Sequence, residues 1–403
     1  MAVTALPIPA EEYDGFLKQI AHLEIGDPLA QDCQVEEIVD GLPVLDCLLD
    51  HSVNVDEMDF LAKRLESFSQ DEKTQFQAMA HVMNLTDVKS LINLTYSIDN
   101  VTVVRDFSDL EALGRKQFLH ASGGAVRPEI IPHINGTKVM LDLFQDRQQQ
   151  PTITPYGLVY SNGMELQEVY KGGKFPELRD ETAVLRCTMS RTPEPASAQD
   201  SVSLCFPIAS TAFVRTLVRG GLLQEPTYWL HWECEQCPQE VLDAVGSDWV
   251  LTGDDRRIFD TNVMCQAIAM LPQRDWDALG AVITFAQPHE PRQITQLVKH
   301  LGDFDFIPNA QDPEDYARYV IMESSEFSFD PELEPYLNFR QYGEDHVPVE
   351  SSEFTERGYV EYIGTEPLEA IMTPELPEQE AESPRNRAAG SLAKKKTGPK
   401  RER

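Results

Sequence analysis

The side chains of this chain that could do chemistry are mainly carboxylates. Acidic pairs such as Asp303-x-Asp305 are of the kind that hold metals or trade protons. Cys234-x-x-Cys237, beside His231, has the spacing of half a zinc site. With 67 Asp and Glu in 403 residues, however, acidic pairs at such spacing arise by chance. A zinc site needs further ligands, and the chain has no second close Cys/His pair, so the two cysteines are expected to be structural or chance thiols. The nine histidines are scattered, and one in a helical segment, such as His81, reads as a packed or surface residue rather than a base. No Walker-type phosphate loop is present: the nearest fragment, Gly172-Gly173-Lys174, runs into Phe175 and lacks the first glycine. The G-x-S-x-G elbow, the H-E-x-x-H helix and the EF-hand loop are absent too. No catalytic residue, cofactor or metal is therefore expected.

What the carboxylates do have is number and arrangement. The formal net charge is -33. Residues 1–165 hold 26 acids and 11 bases, residues 166–180 balance three against three, and residues 181–364 hold 31 acids and 12 bases. The last stretch, 365–403, has 7 acids and 8 bases and ends in KKKTGPKRER. Density is highest at 1–60, with fourteen acids and one base, and at 301–364, with sixteen and three. Charge away from zero keeps many proteins dispersed, but crowding this dense opposes folding by self-repulsion unless the field has a use.

Length and composition limit the classes. At 403 residues two folded domains are the prior. No run of about 18 apolar residues occurs, so no membrane span is expected. The start, MAVTALPIPAEEYDGF, has neither a basic n-region nor a sustained apolar stretch, and seven irregularly spaced cysteines argue for reduced thiols. A cytoplasmic protein is the expectation.

The chain also resembles itself. An offset of 203 holds without a gap from Leu61 to Arg115, setting Leu61, Leu65, Phe76 and Leu91 on Met264, Ile268, Leu279 and Ile294. It sets Asp109, Glu111 and Arg115 on Asp312, Glu314 and Arg318. Upstream the offset is 200, with Leu6-Pro7-Ile8 on Phe206-Pro207-Ile208; downstream it is 201, with Thr154 and Gly157 on Thr355 and Gly358. Offsets that differ by a few residues are what loop insertions in a duplicated module produce.

The elements that must position the acids follow from periodicity. Met58, Leu61, Leu65 and Phe68 lie three and four apart on one helix face. Ser69 with Glu72 and Ser108 with Glu111 read as capping boxes, and Asp275, Glu290-Pro291 and Asp312-Pro313 as helix starts in the second copy. Residues 102–104, 183–189, 202–208 and 304–307 are β-prone. The fold class is thus α+β: two tandem diverged copies of a small acidic module over 1–165 and 181–364, a linker at 166–180 and a disordered tail at 365–403.

The second copy carries recognisable segments. Residues 312–320 (DPEDYARYV), 337–345 (LNFRQYGED) and 354–362 (FTERGYVEY) resemble the carboxy-terminal half of the ArdA family of antirestriction proteins. The resemblance covers about 181–364 and, through the repeat, a more diverged 1–165. It implies an elongated acidic α+β protein, not an enzyme, that mimics DNA and occupies the DNA-binding groove of type I restriction-modification enzymes. It further implies a protein partner rather than direct nucleic-acid or membrane contact, and a mobile genetic element as carrier. Family members pair as dimers, so two joined copies could form a pseudo-dimer within the chain, or second copies could pair between chains.

On that reading the contact residues are exposed acids. In the second copy they are Asp303, Asp305, Asp312, Glu314, Asp315, Glu323 and Glu326; in the first, Asp56, Glu57, Asp59, Asp106, Asp109 and Glu111. Asp109, Glu111, Asp312 and Glu314 equally suit helix amino termini. The alternative function is an acidic regulatory protein of a mobile element that binds a basic partner such as a nucleoid protein or transcription regulator. The basic tail is expected to be solvated.

Overall fold

The computed structural model describes residues 2–373 apart from 40–41, 123–125, 146–150, 178–181, 195–199, 224, 226, 253–255 and 325–329. The chain divides into two compact units, Met1–Leu178 and Arg179–Arg403, each mixing helices with small antiparallel sheets. No helix among the described residues is long and apolar enough to cross a membrane.

The first unit runs α1 (Ala10–His22), the short pair β1 (Cys33–Gln34) and β2 (Ser52–Val53), then α2 (Val55–Glu66), α3 (Gln70–Met83) and α4 (Val88–Leu94). It continues with β3 (Thr102–Val104), α5 (Leu110–Ala121), α6 (Gly136–Gln145), β4 (Thr152–Thr154) and β5 (Gly157–Tyr160). Asn54 caps α2 by accepting the Asp56 and Glu57 N–H groups, and Met58, Leu61 and Leu65 point inward as their spacing requires. The Ser69–Glu72 capping box forms. The start of α5 differs from the sequence expectation: Asp109 accepts the Ala112 N–H at 2.9 Å, while the Ser108 hydroxyl turns to Asp106. A carboxylate is the stronger acceptor at a positive helix end, so it displaces the neighbouring serine.

Residues 166–177 are no free connector, contrary to the expected linker. Tyr170 is fully buried, exchanges two hydrogen bonds with Asn93 (2.6 and 2.9 Å) and donates a hydrogen bond from its hydroxyl to Glu57. Phe175 stacks on Phe60 at 4.6 Å. Charge balance marked this segment as a joint, but its two aromatic rings belong to the first unit's core. Residues 178–180 of the expected linker lie outside the described residues.

The second unit opens with β6 (Leu185–Ser190), β7 (Ser201–Phe206), α7 (Ser210–Arg219), β8 (Thr227–Cys234), α8 (Gln239–Val245) and β9 (Asp248–Thr252). Its four strands pair antiparallel in the order β7-β6-β8-β9. Trp232, buried against Phe206 and Trp249, anchors their core to α9 (Arg257–Ala269) through Met264 and Ile268. There follow α10 (Trp276–Ala286), α11 (Pro291–Lys299), β10 (Phe304–Pro308), α12 (Pro313–Arg318), α13 (Phe339–His346), β11 (Ser352–Thr355), β12 (Gly358–Tyr362) and α14 (Leu368–Met372). Ile371 of α14 is buried beside Phe304 and Val360, so the folded body extends past the expected end at 364. The basic end of the tail lies outside the described residues.

Several local features recur in the two units at the sequence offsets of 200 to 203. Strands β3-β5-β4 and β10-β12-β11 have the same antiparallel order. The hairpin of each closes through a threonine hydroxyl that donates to a glycine carbonyl, Thr154 to Gly157 and Thr355 to Gly358. Both glycines have left-handed φ (131° and 146°), and a Cβ on Gly358 would sit 2.2 Å from the Ile307 carbonyl oxygen. The Ile8 N–H donates to Asp59 at 2.7 Å, and the Ile208 N–H to Asn262 at 2.8 Å. Helices α3 and α10 both end on a left-handed residue, Asn84 and Gln287.

Candidate acidic interaction surface

The small sheet of the second unit holds the most telling acids. Antiparallel register sets Asp305 of β10 directly opposite Glu361 of β12, with Ser352 of β11 beyond. Like charges facing each other across a strand pair weaken a sheet. One compensation is visible: the Tyr359 hydroxyl donates to Glu361 at 2.8 Å. Burial, together with that acidic acceptor, pushes the Tyr359 hydroxyl well above its ordinary value, so it stays a donor. In the first unit the same sheet position pairs Thr102 with Tyr160, so the architecture does not demand the carboxylates.

Helix α12 gathers the next group. Asp312 caps it by accepting the Glu314 and Asp315 N–H groups, each at 2.9 Å. Glu314 and Glu334 hold opposite sides of Arg318 at 3.0 and 2.9 Å, and their hydrogen bonds raise the guanidinium above its ordinary value. Helix α13 crosses close to α12 because Gly343 has no Cβ; one there would meet the Pro313 carbonyl oxygen at 1.9 Å. On α13, Arg340 pairs with Glu344 and Gln341 donates to Asp345. Beyond these pairs, no cation among the described residues lies within ion-pair distance of Asp305, Glu323, Glu350 or Glu356. Those four carboxylates are left with their field facing solvent or a partner.

A polar cleft opens at the elbow between each pair of helices. In the second unit it encloses about 360 Å³ and is lined by Glu314, Arg318, Glu334, Asn338 and Arg340. In the first, about 560 Å³ is lined by Glu111, Arg115, Asn135, Thr137 and Lys138. Glu111, Arg115 and Asn135 stand 203 residues before Glu314, Arg318 and Asn338. Asn135 and Asn338 both cap the following helix, and Arg115 pairs with Glu111 at 2.9 Å as Arg318 does with Glu314.

The sequence-nominated acids therefore separate into kinds. Asp305, Glu323, Asp106, Asp109 and Asp312 are exposed, although Asp109 and Asp312 also cap helices. Asp303 is half-buried and pairs with His300 at 2.8 Å; Glu57, Glu111, Glu314 and Asp315 are half-buried as well. The Thr137 backbone and hydroxyl hold the Glu111 carboxyl below its ordinary value, and Ser108 does the same for Asp106. Asp56 and Asp59 correct the expectation of exposure: both are buried, and Asp59 binds the Ile8 N–H and Lys63. They belong to the packing of α2, where their neighbours in sequence are core residues. Glu326 lies outside the described residues. Sequence reasoning missed Glu361, 56 residues from Asp305, because only strand register brings the two together.

Among the described residues no group of His, Cys, Asp and Glu is arranged to hold a metal ion. No curated protein matches the chain. Residues 255–361 match the family model described as antirestriction protein (ArdA), and within that span stand 21 acids and 8 bases. The stretch from α9 to β12, which holds α12, α13 and the three-stranded acidic sheet, is thus similar to the ArdA antirestriction family.

Proposed function

We propose that this protein is a non-enzymatic DNA mimic that inhibits type I restriction-modification enzymes by occupying their DNA-binding channel. The observation that carries the reading is Asp305 facing Glu361 inside the ArdA-matched sheet, a like-charge pair whose cost to the sheet calls for a use outside it. Enzymes of this class hold DNA largely through lysine and arginine contacts to phosphate, which release condensed counterions. A net charge of -13 over 255–361 corresponds to the phosphate charge of about six or seven base pairs. Carboxylates presented without a cleavable backbone compete by occupancy alone. The matching hairpins, clefts and arginine pairs support reading the first unit as a diverged second copy of the same module.

The test is to titrate the purified chain into a DNA-cleavage reaction of a type I enzyme at several salt concentrations. Inhibition that is competitive with DNA and weakens as salt rises is the expected result. Salt-independent inhibition, or none against a panel of such enzymes, overturns the proposal.

A further inference from the structure

No disulfide joins any of the seven cysteines, and two of them stand apart. The Cys234 and Cys237 sulfurs lie 3.1 Å apart, in hydrogen-bond contact, while Cys187 and Cys265 are buried. The backbone brings the pair together. Cys234 ends β8 opposite Leu185 of β6, the Glu235 and Gln236 N–H groups both donate to the Val184 carbonyl, and the chain turns through Pro238 into α8. Both cysteines are half-buried at the rim of the four-stranded core, within reach of a small reagent. His231 is turned to Asp248 at 2.9 Å, and no further ligand completes a metal set among the described residues.

We infer that Cys234 and Cys237 form a reversible dithiol–disulfide site that exchanges with low-molecular-weight disulfides such as glutathione disulfide. A disulfide needs its sulfurs about 2.05 Å apart, so closure asks for about 1 Å of movement in a turn already folded back on itself. The hydrogen bond from Cys237 holds the Cys234 thiol below its ordinary value, and the same bond pushes Cys237 up. Cys237 is also the more deeply buried of the two, so Cys234 is the sulfur a reagent reaches first and is taken as the attacking one. Its thiolate displaces one glutathione thiolate from the disulfide and forms a mixed disulfide. Cys237 then loses its proton to solvent, attacks the Cys234 sulfur and expels the second glutathione. Two protein thiols are oxidised, and one glutathione disulfide is reduced to two thiols. The site lies outside the ArdA-matched residues and does not depend on the antirestriction reading.

The experiment uses the full chain incubated with glutathione disulfide, quenched with acid, alkylated and mapped by mass spectrometry. An internal 234–237 linkage, reversed by dithiothreitol, is the expected product. In Cys237→Ser a glutathione adduct accumulates on Cys234. In the reduced wild-type chain, iodoacetamide labels Cys234 about tenfold faster than Cys237. Linkage of other cysteines instead, equal labelling of the two, or no linkage in a chain shown to be folded by circular dichroism overturns the inference. The labelling comparison is made on the wild-type chain, so it stands even if the serine variant does not fold.

Discussion

Arg357, in the turn between β11 and β12, grips Glu240 of α8 with two parallel hydrogen bonds of 2.6 and 2.9 Å. The same guanidinium reaches Asp277 and lies over Gly280, where a Cβ would come within 2.3 Å of its Nε. Glu240 lies outside the ArdA-matched residues and Arg357 inside them, so this fork ties the four-stranded part of the second unit to its acidic sheet. About a quarter of each side chain remains exposed, which leaves the pair weakly screened by solvent.

Removing one partner leaves the other partly desolvated and unpaired. Arg357→Ala or Glu240→Ala is expected to destabilise the second unit by about 1.5–3 kcal/mol, read as a lower midpoint of its urea transition. Burial pushes the Glu240 carboxyl up, but the bonds from Arg357 outweigh it and hold the group below its ordinary value. A carboxyl depressed by folding contributes stability above its unfolded value and loses it as pH falls through the folded one. The advantage of wild type over Glu240→Gln should therefore shrink below about pH 4.3. A gap unchanged down to pH 2 would remove the ion pair from the account.

Asp305→Asn with Glu361→Gln separates stability from function. Relieving the cross-strand repulsion should leave the sheet as stable as before or raise it by up to about 1 kcal/mol. The same variant should inhibit a type I enzyme more weakly than wild type at low salt, with a smaller salt slope. A folded double variant with full inhibition would take these two acids out of the contact surface.

Asp59→Ala makes the opposite case. Its carboxylate accepts the buried Ile8 N–H at 2.7 Å and pairs with Lys63, so the loss should cost about 1–3 kcal/mol. Inhibition per folded molecule should not change. Weaker inhibition without loss of stability would return Asp59 to the mimic surface.

Gly358→Ala should weaken the acidic sheet by about 1–3 kcal/mol, because φ of 146° and the Ile307 carbonyl at 2.2 Å both exclude a Cβ. Thermal melting with proteolysis of the 352–362 hairpin reads the effect.

Much of the architecture was legible from residue order alone, because helices and small hairpins depend on near neighbours. The Met58–Leu61–Leu65 face, the Ser69–Glu72 box, the Glu290-Pro291 and Asp312-Pro313 starts and the strands at 102–104 and 304–307 all stand where spacing put them. The threonine–glycine hairpins and glutamate–arginine pairs fall at the offsets the self-comparison found. What the tertiary structure decided is which acids are free to act. Charge density is a sum over sequence, whereas exposure and pairing depend on contacts between distant residues. Asp59 was spent on Ile8 and Lys63, Tyr170 and Phe175 turned a neutral joint into core, and β12 placed Glu361 opposite Asp305. The residues alone determined an acidic α+β chain with an ArdA-like stretch at 255–361. Only the fold, by desolvating some carboxylates and setting others in register, decided where its negative field is presented.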